Sequence, residues 1–296
     1  MDRKTFKACI HPKEFPRFIL ACFFAVPLAI AVVLACVFTF GIVALYIGLI
    51  VLFVWIGFRT LYAVFVGNAV LVSELNYPRV KRLLDEARDT IGVKKKVHVF
   101  VFDESSFNAA FSYMFGRYAI FLNSALLEQE ANDKELRWIM GRFIGRIRAK
   151  KRLGIFNWAI EMTERILIFN FFLLPYERAT VYSGDRIALA DINGDISTAV
   201  EAMNKLYTGA KLGYAINPAG IVEQRRLIKG SFFSFLARIM SPMPHMTDRY
   251  VDLIAFARRA YPAEYARFVQ SNPSFPPPDN MMGIADEAAN DDIKAA

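Results

Sequence analysis

The longest feature in the pattern of hydrophobic and polar positions is a run without any charged residue, at residues 18–58. As a helix, this run spans about 60 Å, which is roughly two crossings of a hydrocarbon core about 30 Å thick. Thr39-Phe40-Gly41 is the expected turn. The pattern therefore predicts a transmembrane hairpin over residues 18–66, with helices at 18–38 and 42–66. One long helix followed by a surface segment is the alternative.

The charges that flank this hairpin predict its orientation. A basic head precedes it at residues 1–17, and basic residues also follow the second helix, whereas the turn has none. Because cytoplasmic loops are enriched in Lys and Arg, we expect both ends, and the main domain at residues 67–270, on the cytoplasmic side. The membrane is expected to be the inner (plasma) membrane of a bacterium. A cleaved signal peptide is disfavoured, because the run is too long and no small-residue cleavage site ends it.

The rest of the chain predicts a mainly helical α+β domain with a small β-sheet. Strict alternation with β-branched and aromatic residues predicts strands at 97–102 and 118–122. Apolar residues at spacings of three and four predict helices. The predicted helices cover residues 77–91, 135–152, 176–195 with an Asn-Gly turn at its end, 198–208, 221–240 and 248–260.

Two further segments are less regular. Residues 154–175 are long and apolar, but Glu161, Glu164 and Arg165 lie in their middle. A third membrane crossing would place these charges in lipid, so we expect a helix that packs on the domain or lies in the membrane interface. Residues 271–296 are rich in Pro and acidic residues and predict a disordered tail.

Composition supports the membrane prediction and excludes other classes. A hydrophobic content of 55% and a mean hydropathy of +0.30 are high for a soluble protein. The net charge of +8 suits a surface near anionic lipid, since no nucleic-acid-binding motif is present. The three cysteines are Cys9, Cys22 and Cys36, so neither a disulfide framework nor a cysteine zinc site is expected.

The predicted helix at residues 135–152 carries the most unusual residues. Arg142 and Arg146 lie one helical turn apart on a face next to the apolar one, with Gly145 between them. Three histidines occur in the whole chain, at His11, His98 and His245, and no His-x-x-x-His pair is among them. A pair of metal-binding histidines on one helix is therefore excluded.

The order of these segments resembles peptidase family M48, the membrane-bound zinc metallopeptidases of the HtpX and CAAX-prenyl protease type. The resemblance covers residues 73–260. It includes Tyr77-Pro78 before a helix, a strand, an Asn-Ala-Phe-like segment at residues 108–111, an exposed strand and the basic helix. A later segment at residues 181–186 matches the family's Glu-x-x-Ala-Asp-Arg, and Pro244-His245-Met246 matches its His-Pro-Pro. The resemblance implies a zincin-like domain behind the hairpin.

The residues that would hold zinc in this family are missing here. The resemblance places the two zinc-binding histidines at Arg142 and Arg146, the general base at Phe143 and the third ligand at Val181. Arg has no lone pair to give a metal, and Val and Phe have no donor atoms. We therefore expect no catalytic residues, no zinc and no other cofactor.

Three interpretations of the Arg142 and Arg146 pair follow from the sequence. They are solvated residues of a basic helix, or they fill the former metal pocket and one of them pairs with Asp185, or they bind an anion such as a carboxylate or a lipid phosphate. In the second case an ion pair replaces the metal as the cross-link between two helices.

Function is expected to be a membrane-anchored pseudopeptidase that binds, scaffolds or regulates partners in membrane-protein quality control. The expected partners are the lipid bilayer and a protein or peptide, without nucleic acid. An edge strand at residues 118–122 would capture the peptide. The residues assigned to this peptide-binding edge are Asn108, Phe111, Tyr118, Ala119, Ile120 and Phe121. The alternatives are an active zinc metalloendopeptidase with other ligands, for example His98 or His245, and an anion- or lipid-binding membrane protein.

Overall fold

The structure is a computed structural model of the chain that describes residues 1–103, 108–114, 117–127, 132–151, 167–228, 231–241 and 243–275. It is mostly helical, with a small mixed sheet and two apolar helices near the N-terminus. The helices are α1 (Arg3–Cys9), α2 (Glu14–Phe38), α3 (Ile42–Gly67), α4 (Pro78–Ile91), α5 (Asp133–Lys151), α6 (Leu167–Asp191), α7 (Ile196–Thr208), α8 (Pro218–Ile228), α9 (Phe232–Met240), α10 (Met246–Ala260) and α11 (Pro262–Ser271). The strands are β1 (Val70–Leu71), β2 (Val97–Phe102), β3 (Ala109–Met114) and β4 (Arg117–Asn123).

Among the described residues, α2 and α3 are the two helices long and apolar enough to cross a membrane. Their most apolar stretches are 11% and 0% buried inside the protein, so their side chains do not form a soluble core. The turn between them lies where the sequence predicts it, with φ of 49° at Phe40 and 84° at Gly41. The left-handed backbone at Gly41 is favourable because glycine has no Cβ.

The sheet has the strand order β1-β2-β4-β3. Strand β2 pairs in parallel with β4, and β3 forms an antiparallel pair on the other side of β4. The prediction that residues 118–122 form an edge strand is therefore wrong, because β4 is an interior strand. The alternating pattern of β4 identifies it as a strand but does not reveal its neighbours, which depend on contacts distant in sequence.

The central layer of the domain is the crossing of α5 and α6. The apolar residues of α5 that the sequence predicts to share one face are all buried, at Leu136, Ile139, Phe143 and Ile147. On the opposite face, a Cβ added at Gly145 would come within 2.9 Å of Ile187 on α6. Glycine at this position lets the two helix backbones approach closely.

The N-terminal residues are part of this packed domain. The sequence treats residues 1–17 as a separate basic head, but Phe6, Cys9 and Glu14 are buried against later helices. The backbone N–H of His11 donates to Ser183 Oγ on α6 at 2.9 Å, and Ser183 Oγ donates to Glu14. These contacts were not predictable locally, because their partners lie about 170 residues further along the chain.

Other differences concern the ends of helices. Pro175 does not separate two helices: α6 continues through it, and Leu173 and Tyr176 pack with Phe18 of α2. The predicted helix at 221–240 is instead two helices, α8 and α9, with extended backbone at Ser231. Helix α11 was not predicted. Most of segment 154–175 and nearly all of the expected tail at 271–296 lie outside the described residues.

Candidate functional site

The four positions assigned from the resemblance lie at the contact between α5 and α6. Arg142 and Arg146 are on α5, and Val181 and Asp185 are on α6. A Cβ at Gly184 would lie 2.5 Å from the carbonyl oxygen of Arg142 and 3.4 Å from Cβ of Arg146. The two helices thus touch at this glycine, and the side chains on either side of it converge.

Arg142 is buried, with 6% of its surface exposed. Its Nε lies 3.5 Å from Asp185 Oδ1, and its guanidinium carbon lies 4.8 Å from the centre of the Phe143 ring. Burial and the nearby charge of Arg249 lower the pKa of Arg142 to about 10, and Asp185 opposes this shift. Arg142 remains protonated near neutral pH, and it is not a solvated surface residue.

The main partner of Asp185 is Arg249 of α10. Arg249 Nε and Nη2 each donate to Asp185 at 2.8 Å, in the bidentate geometry that guanidinium and carboxylate groups favour. Arg249 Nη1 donates to the hydroxyl of Tyr207 on α7. Burial lowers the pKa of Arg249, but Asp185 and Tyr207 outweigh it and hold that pKa above its usual value.

Sequence reasoning missed Arg249. Arg249, Leu253 and Ala257 recur every four residues, and each is at most 1% exposed. A charged residue in line with an apolar stripe was therefore the available signal, because a buried charge requires a partner. Nothing in the sequence identifies that partner as Asp185, which lies 64 residues earlier.

Arg146 has a different carboxylate partner. Its guanidinium donates to Glu177, and its Nε donates to Thr180 Oγ1 at 3.0 Å. Lys150, one turn further along α5, lies 2.6 Å from the same Glu177. Val181 is buried between Glu177 and Asp185, one helical turn from each. Arg142 and Arg146 therefore each have a carboxylate partner on α6, which favours the cross-link over an anion site.

A further ion pair extends the connection between these helices. Arg137 donates to both oxygens of Asp191, at 2.8 Å and 3.0 Å, and lies 3.2 Å from Glu86 of α4. Burial raises the pKa of Asp191, and Arg137 opposes that shift. Charged side chains thus join α5 to α6 at Arg137, Arg142 and Arg146, and join α5 to α4 at Arg137.

Phe143, which the resemblance aligns with the family's general base, connects α5 to the sheet. Its ring stacks on Phe111 of β3, with centroids 5.7 Å apart and planes at 9°. Phe111 in turn stacks on Tyr118 of β4 at 5.9 Å. A general base needs a carboxylate that can hold a water, whereas Phe143 presents an apolar ring that contacts the Phe111 ring and the Arg142 guanidinium.

The residues assigned to a peptide-binding edge fall into two groups. Phe111 lies on the outer strand β3, and Asn108 directly precedes it, donating to the carbonyl of Leu206 at 3.0 Å. The other four are buried in the interior strand β4, which excludes them from an exposed edge; they are Tyr118, Ala119, Ile120 and Phe121.

The residues at the site do not fit a zinc ion. Arginine guanidinium groups and a valine stand at the positions that the resemblance predicts for ligands, and the nearby carboxylates already bind arginine or lysine. Within the described part of the chain, no group of three or more His, Cys, Asp or Glu residues is arranged to hold a metal. His98 lies on β2, His245 directly precedes α10, and His11 lies 3.5 Å from Asp252.

The site is thus a buried contact between helices that is filled by arginine and carboxylate groups. Of the three interpretations drawn from the sequence, the cross-link agrees best with this arrangement. The structure adds Arg249 as the partner of Asp185 and Glu177 as the partner of Arg146. The family resemblance stays a prediction. Comparison of the chain with family models, curated proteins and solved structures gives no match.

Proposed function

We propose that the protein is a membrane-anchored, non-catalytic member of the zincin-like class, in which an arginine and carboxylate network occupies the place of a metal centre. Its role would be to bind or scaffold a protein or peptide partner at the membrane. The resemblance to peptidase family M48 supplies the class, and membrane-protein quality control is the setting that this class suggests.

The observation that carries the proposal is the environment of Arg142. A buried arginine, in contact with Asp185 and stacked on Phe143, has no donor atom to offer a metal. The network joins α5 to α6 and α10 with charge-assisted hydrogen bonds. It can therefore hold the helices in one arrangement without zinc, as the metal would in an active relative.

Membrane anchoring rests on α2 and α3. Both helices expose apolar side chains along their lengths, and each is about 37–39 Å long, enough to cross a hydrocarbon core of about 30 Å. The basic residues around both outer ends support a cytoplasmic N-terminus and a cytoplasmic domain. The membrane we propose is the inner membrane of a bacterium.

The free side of β3 is the surface we assign to partner binding. Asn123 N donates to Asn108 O at 2.8 Å, so the even-numbered residues of β3 bond to β4. Ala109 and Phe111 then turn their backbone N–H and C=O groups outward. Within the described ranges no strand pairs with that side. An extended peptide can add a strand there.

Metal analysis tests the absence of a zinc centre. The purified full-length protein, produced with zinc in the medium, should carry no stoichiometric zinc and show no proteolysis that a chelator abolishes.

A restored variant combines Arg142→His, Phe143→Glu, Arg146→His and Val181→Glu. If the four positions have the arrangement the family implies, this variant should bind one zinc ion per chain. Stoichiometric zinc in the natural chain would favour the metallopeptidase alternative and contradict the proposal.

Peptide capture is tested separately, with fluorescein-labelled β-casein as an unstructured probe. Ala109→Pro removes an outward N–H without touching the β4 ladder, so it should weaken casein binding about tenfold while unfolding is unchanged, since Pro is tolerated at a sheet edge. The matched control is Gly220→Ala, at a helical position with no neighbour within 4 Å. Equal binding by both variants would exclude β3 as the capture surface.

A further inference from the structure

Helix α9 has its apolar side facing outward. Phe232, Phe233, Leu236 and Met240 recur along one face and are 69%, 78%, 41% and 61% exposed. Ser234, Arg238 and Ile239, which are not part of that face, are half-buried. This is the reverse of a surface helix on a soluble domain, which buries its apolar face.

Charged contacts hold the helix in this orientation. Arg238 Nε lies 3.6 Å from Asp248 of α10, and Asp248 also accepts from Arg225 Nε at 3.0 Å. Arg178 of α6 donates to the carbonyl oxygens of Ile239 at 2.8 Å and of Ser241 at 3.2 Å, at the C-terminal end of α9. A cation at that end is favourable because the last carbonyls carry partial negative charge.

The same contacts place α9 beside the start of the apolar run of α2. Arg178 is two residues from Tyr176 on α6, a separation of about 3 Å along the axis. The Tyr176 ring packs on Phe18, the first residue of that run, with centroids 5.6 Å apart. Arg17 donates to the carbonyl of Pro175 at 3.4 Å. The point where α6 contacts the C-terminal end of α9 and the point where it contacts the start of the apolar run of α2 therefore lie within one turn of α6.

We propose that α9 lies in the membrane interface, with its exposed aromatic face inserted among the lipids of the bilayer that α2 and α3 cross. With nine residues α9 is about 13.5 Å long, too short to span the bilayer. Leu227, before α9 in the chain, and Met243, after it, are further exposed apolar residues. Arg226, next to Leu227, is exposed and suits contact with anionic headgroups. This inference rests on the proposed membrane anchoring. Its consequence is a second attachment that fixes the tilt of the domain.

Site-specific photocrosslinking in proteoliposomes tests the inference. The full chain is reconstituted in phosphatidylcholine vesicles with a quarter phosphatidylglycerol, both carrying an alkyne for detection. p-Benzoylphenylalanine replaces one residue at a time: Phe233 on α9, Phe53 on α3, and exposed Ala266 on α11. Helix α11 begins at Pro262, and Tyr261 before it contacts Gly194 beyond the far end of α6, about 20 Å along that helix from Tyr176.

We expect lipid adducts at Phe233 comparable to those at Phe53 and at least tenfold above those at Ala266. Adducts at Phe53 but only background adducts at Phe233 would overturn the inference and leave the anchoring intact. Background adducts at both positions would instead overturn the anchoring, and the inference with it. Crosslinked dimers at Phe233 in place of lipid adducts would assign this face to a second copy of the chain and also overturn the inference. Because the Phe233 side chain is exposed, its replacement should leave the thermal unfolding midpoint unchanged, which checks that the protein is folded.

Discussion

Asp185→Ala is the substitution that most directly tests the network at the α5 and α6 contact. Asp185 is 1% exposed and is the carboxylate that faces both Arg142 and Arg249. Removing it leaves two guanidinium groups together in a buried space. The pKa of Arg142 is already lowered to about 10 by burial and by Arg249, so these two groups repel each other when Asp185 is gone.

The expected cost follows from the burial of both partners. Breaking a buried ion pair by removing one partner destabilises a protein by about 3–5 kcal/mol, because the remaining charge is uncompensated. The side chain of Arg249 is fully buried and makes two hydrogen bonds of 2.8 Å to Asp185, so the whole of this range applies. Replacing the whole group with apolar residues of similar volume, by Asp185→Leu, Arg142→Met and Arg249→Met together, should cost less than Asp185→Ala alone.

The assay is urea unfolding of the full-length protein in a mild detergent, followed by far-UV circular dichroism and tryptophan fluorescence. Trp138 is fully buried on α5, and its ring centre is 5.9 Å from the guanidinium carbon of Arg142, so its emission reports on this contact. A matched control is Glu264→Ala, which removes an exposed pair with Arg267 and should cost less than about 1 kcal/mol. Equal unfolding midpoints for Asp185→Ala and Glu264→Ala would refute the cross-link.

Three other substitutions extend the test. Gly184→Ala puts a Cβ 2.5 Å from a backbone carbonyl of α5 and should cost about 1–3 kcal/mol in the same unfolding assay, whereas Gly220→Ala, with open space around it, should stabilise α8 slightly. Arg137→Met leaves buried Asp191 without its bidentate partner and should lower the free energy of unfolding by about 3 kcal/mol; an unchanged urea midpoint would contradict this. Burial raises the pKa of Cys9 from 9.0 to about 12, so the stability it contributes is complete below pH 9 and is lost as pH rises toward 12. Wild type should therefore lose stability above pH 9 more steeply than Cys9→Ala, by at most about 1.4 kcal/mol per pH unit, and parallel pH profiles would contradict the raised pKa.

Much of the local structure could be predicted from the sequence. The hairpin turn at Phe40 and Gly41, helix α4 and strand β2 lie at or within a few residues of their predicted positions. Each depends on properties of a single segment: a charge-free run, an apolar period, or strict alternation. The helix boundary predicted at Pro175 is wrong: the helix continues there and packs against α2, a contact that no local signal contains.

The sequence singled out residues of the candidate site but did not predict most of their ion-pair partners. Arg142, Arg146, Val181 and Asp185 lie on two helices that touch at Gly145 and Gly184, whereas the resemblance that singled them out stays a prediction. The sequence suggested Asp185 as an ion-pair partner for one of the two arginines, but not the other partners. Arg249 supplies the bidentate contact to Asp185, and Arg146 pairs with Glu177 instead.

The sequence alone determined the chemical limits of this protein. The side chains of two arginines, a phenylalanine and a valine offer no donor atom to a metal, whatever the fold. The charge-free segment at residues 18–58 is apolar wherever it lies. Tertiary structure decided which groups meet. It placed β4 inside the sheet, brought Arg249 to Asp185 and turned the aromatic face of α9 outward. The physical reason is that side-chain chemistry and backbone period are local, whereas strand order, ion pairing and exposure depend on residues that only packing brings together.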